Sequence, residues 1–279
     1  MTSESKVLAV FAACAMWLAA LPGAWSAELP VKPMAAKVVV LSGDVTAGAR
    51  ALKSGDGLAE AEEIVVGRGS YATLEFTDRS IVRVMSDSRL RIETHHAPSA
   101  FSSEFETRLQ LGAGAIEAKI ARRRVSTFSI ASMAGSIASI GASFRVRDVG
   151  DVMLVEVLDG RATVTGTSGR PVTVDAGYGT RVMPMEAPLA PVGLLRAPDV
   201  SRVSALHQHP VVRLRFAPVP GAQRYRIIAA ADRDLRDVLV ENTQRRPDVR
   251  MIDLRDGDYF YGVRASSPSS PSSLMARTP

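Results

Sequence analysis

Residues 125–164 read VSTFSIASMAGSIASIGASFRVRDVGDVMLVEVLDGRATV, and this stretch decides the fold class. Alanine, serine and glycine dominate positions 131–143, and two alternating β-strands follow them. In the first of these strands Phe144 and Val146 share one face, with Arg145 and Arg147 on the other. Small side chains let backbones approach closely where layers of strands stack. The stretch therefore predicts stacked β-strands, and no catalytic constellation accompanies it.

Strand and turn signals recur on both sides of this stretch. Apolar residues alternate over 71–76 and 90–93, and turn sequences stand between such runs at short intervals. Many short strands with regular turns predict an all-β body, with no long helical periodicity after the N-terminal run. We expect separate strands over 104–111 and 115–120, and an exposed loop over 95–100.

The N-terminus predicts export. An apolar run over residues 7–21 follows Lys6, and Ala24 and Ser26 occupy the −3 and −1 positions of a cut before Ala27. This is the pattern of a cleavable secretory signal peptide over residues 1–26. It predicts a periplasmic protein of the Gram-negative type.

An uncleaved anchor stays open as the alternative. Residues 7–25 make 19 positions, close to the length that spans a bilayer. In that case the protein is attached to the inner membrane, and otherwise we expect no membrane contact.

Cleavage before Ala27 removes Cys14 and both tryptophans. The mature chain then forms no disulfide, no thiolate metal site and no cysteine nucleophile. Glu4 and Lys6 leave together, so the net charge stays at +5. This mild excess, part of it in the basic run from Lys119 to Arg124, argues against a nucleic-acid partner. Attraction to an anionic wall or membrane surface stays open.

The central part of the chain, residues 37–181, resembles the FecR-type domain, a periplasmic β module. The motifs that carry the resemblance are Gly43-Asp44-Val45, Gly55-Asp56-Gly57-Leu58, Gly69-Ser70-Tyr71-Ala72, Gly114-Ala115-Ile116, Phe128-Ser129-Ile130, Gly141-Ala142-Ser143-Phe144-Arg145-Val146, Asp159-Gly160 and Ala176-Gly177. The family's Arg-Gly-Thr-x-Phe core is altered, because Ile140 replaces the arginine and Ala142 the threonine. Arg79 also stands where the family often has glycine.

The resemblance implies a β-solenoid, or stacked-strand, domain over residues 37–183 without a catalytic pocket. Gly141 and Phe144 are the structural residues we expect it to depend on. Signalling members carry a cytoplasmic sigma-factor-binding region and a transmembrane helix ahead of this domain. Only five residues precede Lys6 here, so we do not expect a conventional sigma regulator.

A second module is predicted after a proline-rich linker over residues 184–198. Residues 199–266 resemble a fibronectin-III-like or immunoglobulin-like β-sandwich, through Phe216-x-Pro218-Val219-Pro220-Gly221 and Gly257-Asp258-Tyr259-x-Tyr261-x-Val263. This is a small version of a fold that needs about 100 residues. The serine- and proline-rich tail over 267–279 is predicted to be disordered.

Candidate metal ligands do not form a site in the sequence. His207 and His209 share a strand face but lack a third ligand, and His95 and His96 splay to opposite sides of an extended chain. The aspartates at 232, 234 and 237 do not follow the calcium-loop pattern. We therefore expect no metal.

No enzyme motif is present either. There is no Walker loop and no GxSxG serine, Glu117 replaces the last glycine of a GxGxxG pattern that begins at Gly112, and no carboxylate lies beside an apolar segment that would raise its pKa. The sequence predicts a protein that is not an enzyme and carries no cofactor.

Three functions remain. The leading one is a non-catalytic envelope module that binds an envelope protein or a cell-wall polymer through β surfaces. The second is an accessory of transmembrane signalling that acts through the FecR-like domain. The third is a peptidoglycan or glycan binder, which the loss of both tryptophans disfavours.

Overall fold

Short strands make up the described part of the chain, which in this computed structural model comprises residues 34–96, 104–122, 126–203, 211–233, 235, 238–251, 256–267 and 276–277. Over those ranges the fold is all β with no helix, which confirms the predicted class. The strands are β1 Met34–Ser42, β2 Val45–Ala47, β3 Arg50–Ala51, β4 Gly57–Ala59, β5 Glu63–Val66, β6 Tyr71–Phe76, β7 Ile81–Val84, β8 Ser88–His96, β9 Phe105–Lys119, β10 Ser126–Ala131, β11 Gly135–Ser139, β12 Ser143–Val149, β13 Val152–Asp159, β14 Arg161–Gly166, β15 Val172–Asp175, β16 Tyr178–Val182, β17 Val192–Gly193, β18 Val212–Arg215, β19 Arg224–Ala230, β20 Val238–Gln244, β21 Asp248–Met251, β22 Phe260–Ser266 and β23 Ala276–Arg277.

The strands up to β17 form two hydrogen-bonded layers that share β9. The first layer has the order β4-β1-β6-β7-β9-β12-β13-β16-β17. The second has the order β3-β2-β5-β8-β9-β10-β11-β14-β15. Neighbouring strands in these two ladders run antiparallel, apart from the parallel pair β9–β10. The chain thus alternates between the layers as it advances.

Strand β9 crosses from one layer to the other at a glycine. Its residues up to Ala113 pair with β8 in the second layer, and those from Gly114 pair with β12 in the first. Gly114 has φ +90°, and a Cβ there would lie 2.6 Å from the Cα of Ser88. Glycine is required because no side chain fits this conformation and approach. The prediction of two strands is wrong here, since one strand continues through the bend.

The hydrophobic core lies between the two layers. Phe76 of the first layer contacts Phe128 of the second edge to face, with ring centroids 5.5 Å apart. Phe144 and Val146 are fully buried in the same core. The predicted period-two alternation of β12 is therefore confirmed on its apolar side.

The loop predicted over residues 95–100 is wrong for its first two residues, which end β8. His95 is 5% exposed. Its Nε2 lies 2.6 Å from Thr77 Oγ1 and its Nδ1 2.9 Å from Thr107 Oγ1, so both ring nitrogens are hydrogen bonded. His96 points the other way and is exposed, which confirms the prediction that the two histidines point to opposite sides of an extended chain. The strand continues because the threonines satisfy the buried imidazole.

The remaining strands form two small sheets. Strands β18 and β21 pair with each other, and the second sheet has the order β20-β19-β22-β23. Their shared core contains Phe216 and Tyr225, whose rings lie 5.1 Å apart, and the Tyr225 hydroxyl accepts a hydrogen bond from the Val219 N–H at 2.9 Å. In the segment predicted as a linker, β17 pairs with β16. Residues 32–279 form one compact unit.

Several predictions fall outside the described residues. These are the signal peptide over 1–26 with its alternative anchor over 7–25, most of the 267–279 tail, and the pair His207 and His209. Across the ranges that are described, we find no helix with the length and apolar character that crossing a membrane requires.

Candidate functional site

A row of alternating charges crosses the outer face of the first layer. Arg83 of β7 stands directly opposite Glu117 of β9, and Glu117 is opposite Arg145 of β12. Arg145 is in turn opposite Glu156 of β13. The neighbours of these residues along each strand point into the core, so the charged side chains point away from it. Opposite charges on facing strands stabilise the pairing of the sheet.

The centre of this row is buried. Arg145 and Glu156 are 4% and 2% exposed, and Arg145 Nη1 lies 2.9 Å from Glu156 Oε2. Arg145 Nε lies 3.9 Å from Glu117, and Arg147 Nη2 lies 3.7 Å from the other oxygen of Glu156. Burial lowers the pKa of Arg145, and Glu156 and Glu117 act against that shift. The group remains a guanidinium cation held by two carboxylates.

The second module covers the row and adds two more arginines. Arg226 of β19 and Arg264 of β22 stand opposite each other in the four-stranded sheet. Arg264 Nη2 donates to Glu117 Oε2 at 3.0 Å, which joins the two modules through a charged hydrogen bond. Arg226 donates from Nε and Nη2 to the two oxygens of Glu241, both at 2.7 Å. Such fork-shaped pairing fixes the orientation of the guanidinium plane.

Two further contacts join the modules beside this row. The Arg83 guanidinium lies 4.6 Å from the centre of the Tyr71 ring and donates to the backbone carbonyl of Leu235. The Tyr71 hydroxyl accepts a hydrogen bond from the Val238 N–H at 3.0 Å. A cation over an aromatic face is attracted by the ring quadrupole. These contacts are polar, as interfaces between domains of one chain often are.

A cavity of about 640 Å³ lies between the charged row and the second module. Its volume is in the range of small-molecule sites. Serine, threonine and tyrosine contribute much of the rest of its wall. Among the residues that the structure describes, five arginines and three glutamates line it, a formal excess of two positive charges: Arg83, Arg145, Arg147, Arg226, Arg264, Glu117, Glu156 and Glu241.

The cavity is lined by buried arginine cations whose charge is partly balanced by carboxylates. Burial alone would raise the pKa of Glu117, but Arg264 and Arg145 outweigh it and the net pKa is lowered. Burial, followed by repulsion from Arg145, lowers the pKa of Arg264 to about 9. Arg264 is 7% exposed, and its Nε is buried without a hydrogen-bond partner. The arrangement can bind an anion, since buried cations gain from each further acceptor.

The two structural residues named from the sequence lie elsewhere. Phe144 is in the core, and Gly141 is in the turn between β11 and β12 with φ +128°. A Cβ at Gly141 would lie 2.5 Å from Cγ and 3.1 Å from Cα of Arg122. The side chain would therefore crowd a neighbouring loop, whereas the sequence pointed to the strand stack. Neither residue lines the cavity.

Sequence reasoning missed the cavity, although one signal pointed to it. Glu156 stands within the apolar run from Met153 to Val157. The expectation that no carboxylate lies beside an apolar segment is therefore wrong. Arg145 and Arg147 were placed correctly on the face away from the core. The sequence did not indicate that this face is itself covered.

Other predicted candidates do not assemble into a site. Asp232 belongs to a short turn, and positions 234 and 237 lie outside the described residues. Among the side chains that the structure describes, no group of three or more histidine, cysteine, aspartate or glutamate residues is arranged to hold a metal ion.

Comparison with known proteins supports one part of the sequence resemblance. Residues 62–163 match the family described as FecR protein, which confirms the FecR-like domain over that range. No curated protein matches this chain. Two crystal structures of a putative anti-sigma factor from Parabacteroides distasonis are similar to it, each with 17% identity over 47% of this chain, at TM-scores of 0.40 and 0.39. The similarity covers 59% of the length of that protein.

Proposed function

We propose that this chain is an exported, non-catalytic protein of the cell envelope, in which a FecR-like domain binds a partner together with the second module. The single observation that carries the proposal is the cavity between the modules. Its guanidinium groups and carboxylates hold one another in ion pairs. Arginine recognises a ligand by charge and fork geometry and does not exchange protons near neutral pH, so the chemistry supports binding.

The location and the finer architecture belong to the same proposal. The apolar run over residues 7–21 and the small residues before Ala27 support export to the periplasm. The alternation of strands between two layers supports a solenoid-like reading of residues 37–183. The shared core of the two small sheets supports a compact β-sandwich of the fibronectin-III type over residues 199–266.

The second candidate function is an accessory role in transmembrane signalling. The match of residues 62–163 to the FecR family favours it. In this role the partner is an inner-membrane protein, whereas the leading proposal leaves an envelope protein and a cell-wall polymer open.

Cross-linking in intact periplasm tests the proposal. The exported chain, from Ala27 to Pro279, is captured and its cross-linked partners are identified by mass spectrometry. Arg147→Glu reverses one charge in the cavity wall. Arg181→Glu is the matched control, because Arg181 is exposed on the same face of the same layer, two strands away and outside the cavity.

We expect one stoichiometric partner with the wild type and the control, and its loss with Arg147→Glu. An inner-membrane partner would favour the signalling role, and wall fragments would favour the polymer. A partner retained equally by all three proteins would refute the assignment of binding to the cavity.

A further inference from the structure

We infer that the cavity binds a small oxyanion with two or more negative charges, carried by phosphate or carboxylate groups, and that this ligand bridges the two modules. The inference rests on the proposed binding function and names the ligand class of the same site.

The charge balance of the wall is the first argument. Within the described part of the wall, five guanidinium groups face three carboxylates, and burial lowers the pKa of Arg83, Arg145 and Arg264. An excess of partly desolvated cations is compensated by an anion that enters from solvent. Two extra positive charges match a ligand that carries two negative ones.

The second argument is geometric. Arg264 is 7% exposed and its Nε has no hydrogen-bond acceptor. Its Nη2 is already engaged with Glu117, so an additional acceptor atom is needed to complete the fork. Phosphate and carboxylate oxygens fit two adjacent N–H groups of a guanidinium.

The third argument is position. Arg147 belongs to β12 of the first layer and Arg226 to β19 of the second module, and both line the cavity. Arg226 is held by Glu241, whose side chain is 45% exposed, and Arg147 has its nearest carboxylate at 3.7 Å. A dianion between them contacts one cation from each module, so ligand binding and docking of the modules are coupled.

Titration calorimetry tests the inference. The chain purified from the periplasm after export is titrated with inorganic pyrophosphate and, separately, with malonate. We expect saturable binding of one of these anions, at one site per chain, with an affinity that falls as the ionic strength rises. The probe that binds identifies the acidic group as phosphate or carboxylate. Failure of both to bind would overturn the inference.

Paired variants assign the binding to the cavity. Arg147→Gln removes one cation from the wall and should weaken binding about tenfold, whereas Arg181→Gln, outside the cavity on the same face, should leave it unchanged. Glu241→Gln removes a competing carboxylate and should tighten binding several-fold. Because one variant weakens and the other tightens, a loss of folding does not reproduce the pattern.

Equal weakening by the two arginine variants would place the anion on the general surface and overturn the inference. The cross-linking result for the partner does not depend on either small anion. A failed titration with a retained, Arg147-dependent partner therefore refutes the ligand class and leaves the proposed function standing.

Discussion

Replacing Arg145 by methionine removes one partner of the buried ion pair in the cavity wall. Glu156 is then left 2% exposed, with Arg147 still at 3.7 Å. At 2.9 Å, the attraction that is lost is about 6 kcal/mol for an effective dielectric constant near 20. The desolvation cost of Arg145, several kcal/mol, is relieved at the same time.

The net effect is a loss of about 3 kcal/mol in the free energy of unfolding. It lies at the low end of the range for a broken buried pair because Arg147 still compensates part of the charge. The double variant Arg145→Met with Glu156→Leu removes both desolvation costs. We expect it to recover to within about 1 kcal/mol of the wild type, since buried pairs are often replaced by apolar residues at little cost.

Urea unfolding followed by far-ultraviolet circular dichroism measures these differences as a double-mutant cycle. Arg161 and Asp175 provide the matched control, since they also face each other across neighbouring strands but have side chains that are 71% and 56% exposed. Truncating either should cost less than about 1 kcal/mol. The reasoning is refuted if the double variant in the cavity loses the sum of its two single variants.

Three further results are expected. Phe144→Ala should lower the free energy of unfolding by about 3–5 kcal/mol in urea, because a fully buried ring leaves a cavity; a loss under 1 kcal/mol would contradict its place in the core. Gly141→Val should lower the midpoint of thermal unfolding, because Gly141 has φ +128° and a Cβ there would crowd Arg122. Gly193→Ala should leave the midpoint unchanged, because the space around Gly193 is open. A Gly141→Val midpoint equal to that of the wild type would exclude the crowding. Burial lowers the pKa of His95 from its ordinary 6.5. The contribution of neutral His95 to the free energy of unfolding is therefore complete above pH 6.5 and is lost as the pH falls toward the lower pKa of the folded state. His95→Asn should reduce the dependence of the free energy of unfolding on pH, measured by denaturant titrations at several pH values. An unchanged pH dependence would assign that dependence to other groups.

Local pattern was sufficient for the fold class and for much of the first module. The period-two alternation over residues 143–149 placed Phe144 and Val146 in the core and Arg145 on the opposite face, because side-chain direction in a strand depends only on neighbouring backbone geometry. The FecR resemblance, confirmed over residues 62–163, rests on turn and core motifs that are equally local.

Contacts between distant parts of the chain decided the rest. His95 can be buried because Thr77, in the turn after β6, and Thr107 of β9 hydrogen bond to its ring. A single strand changes layer at Gly114, where the sequence indicated a break. The periodicity of a strand states which residues share a face but not whether that face is covered.

The sequence by itself determined an all-β chain with alternating strands, small residues at close backbone approaches and a mild positive charge. Only the tertiary structure decided that the charged face of the first layer becomes the wall of a cavity. Arg264 and Glu117 are 147 residues apart in the chain, and Arg83 and Leu235 are 152 apart. Contacts at such separations depend on how the two modules dock, and docking depends on the whole of both surfaces, which no local sequence pattern contains.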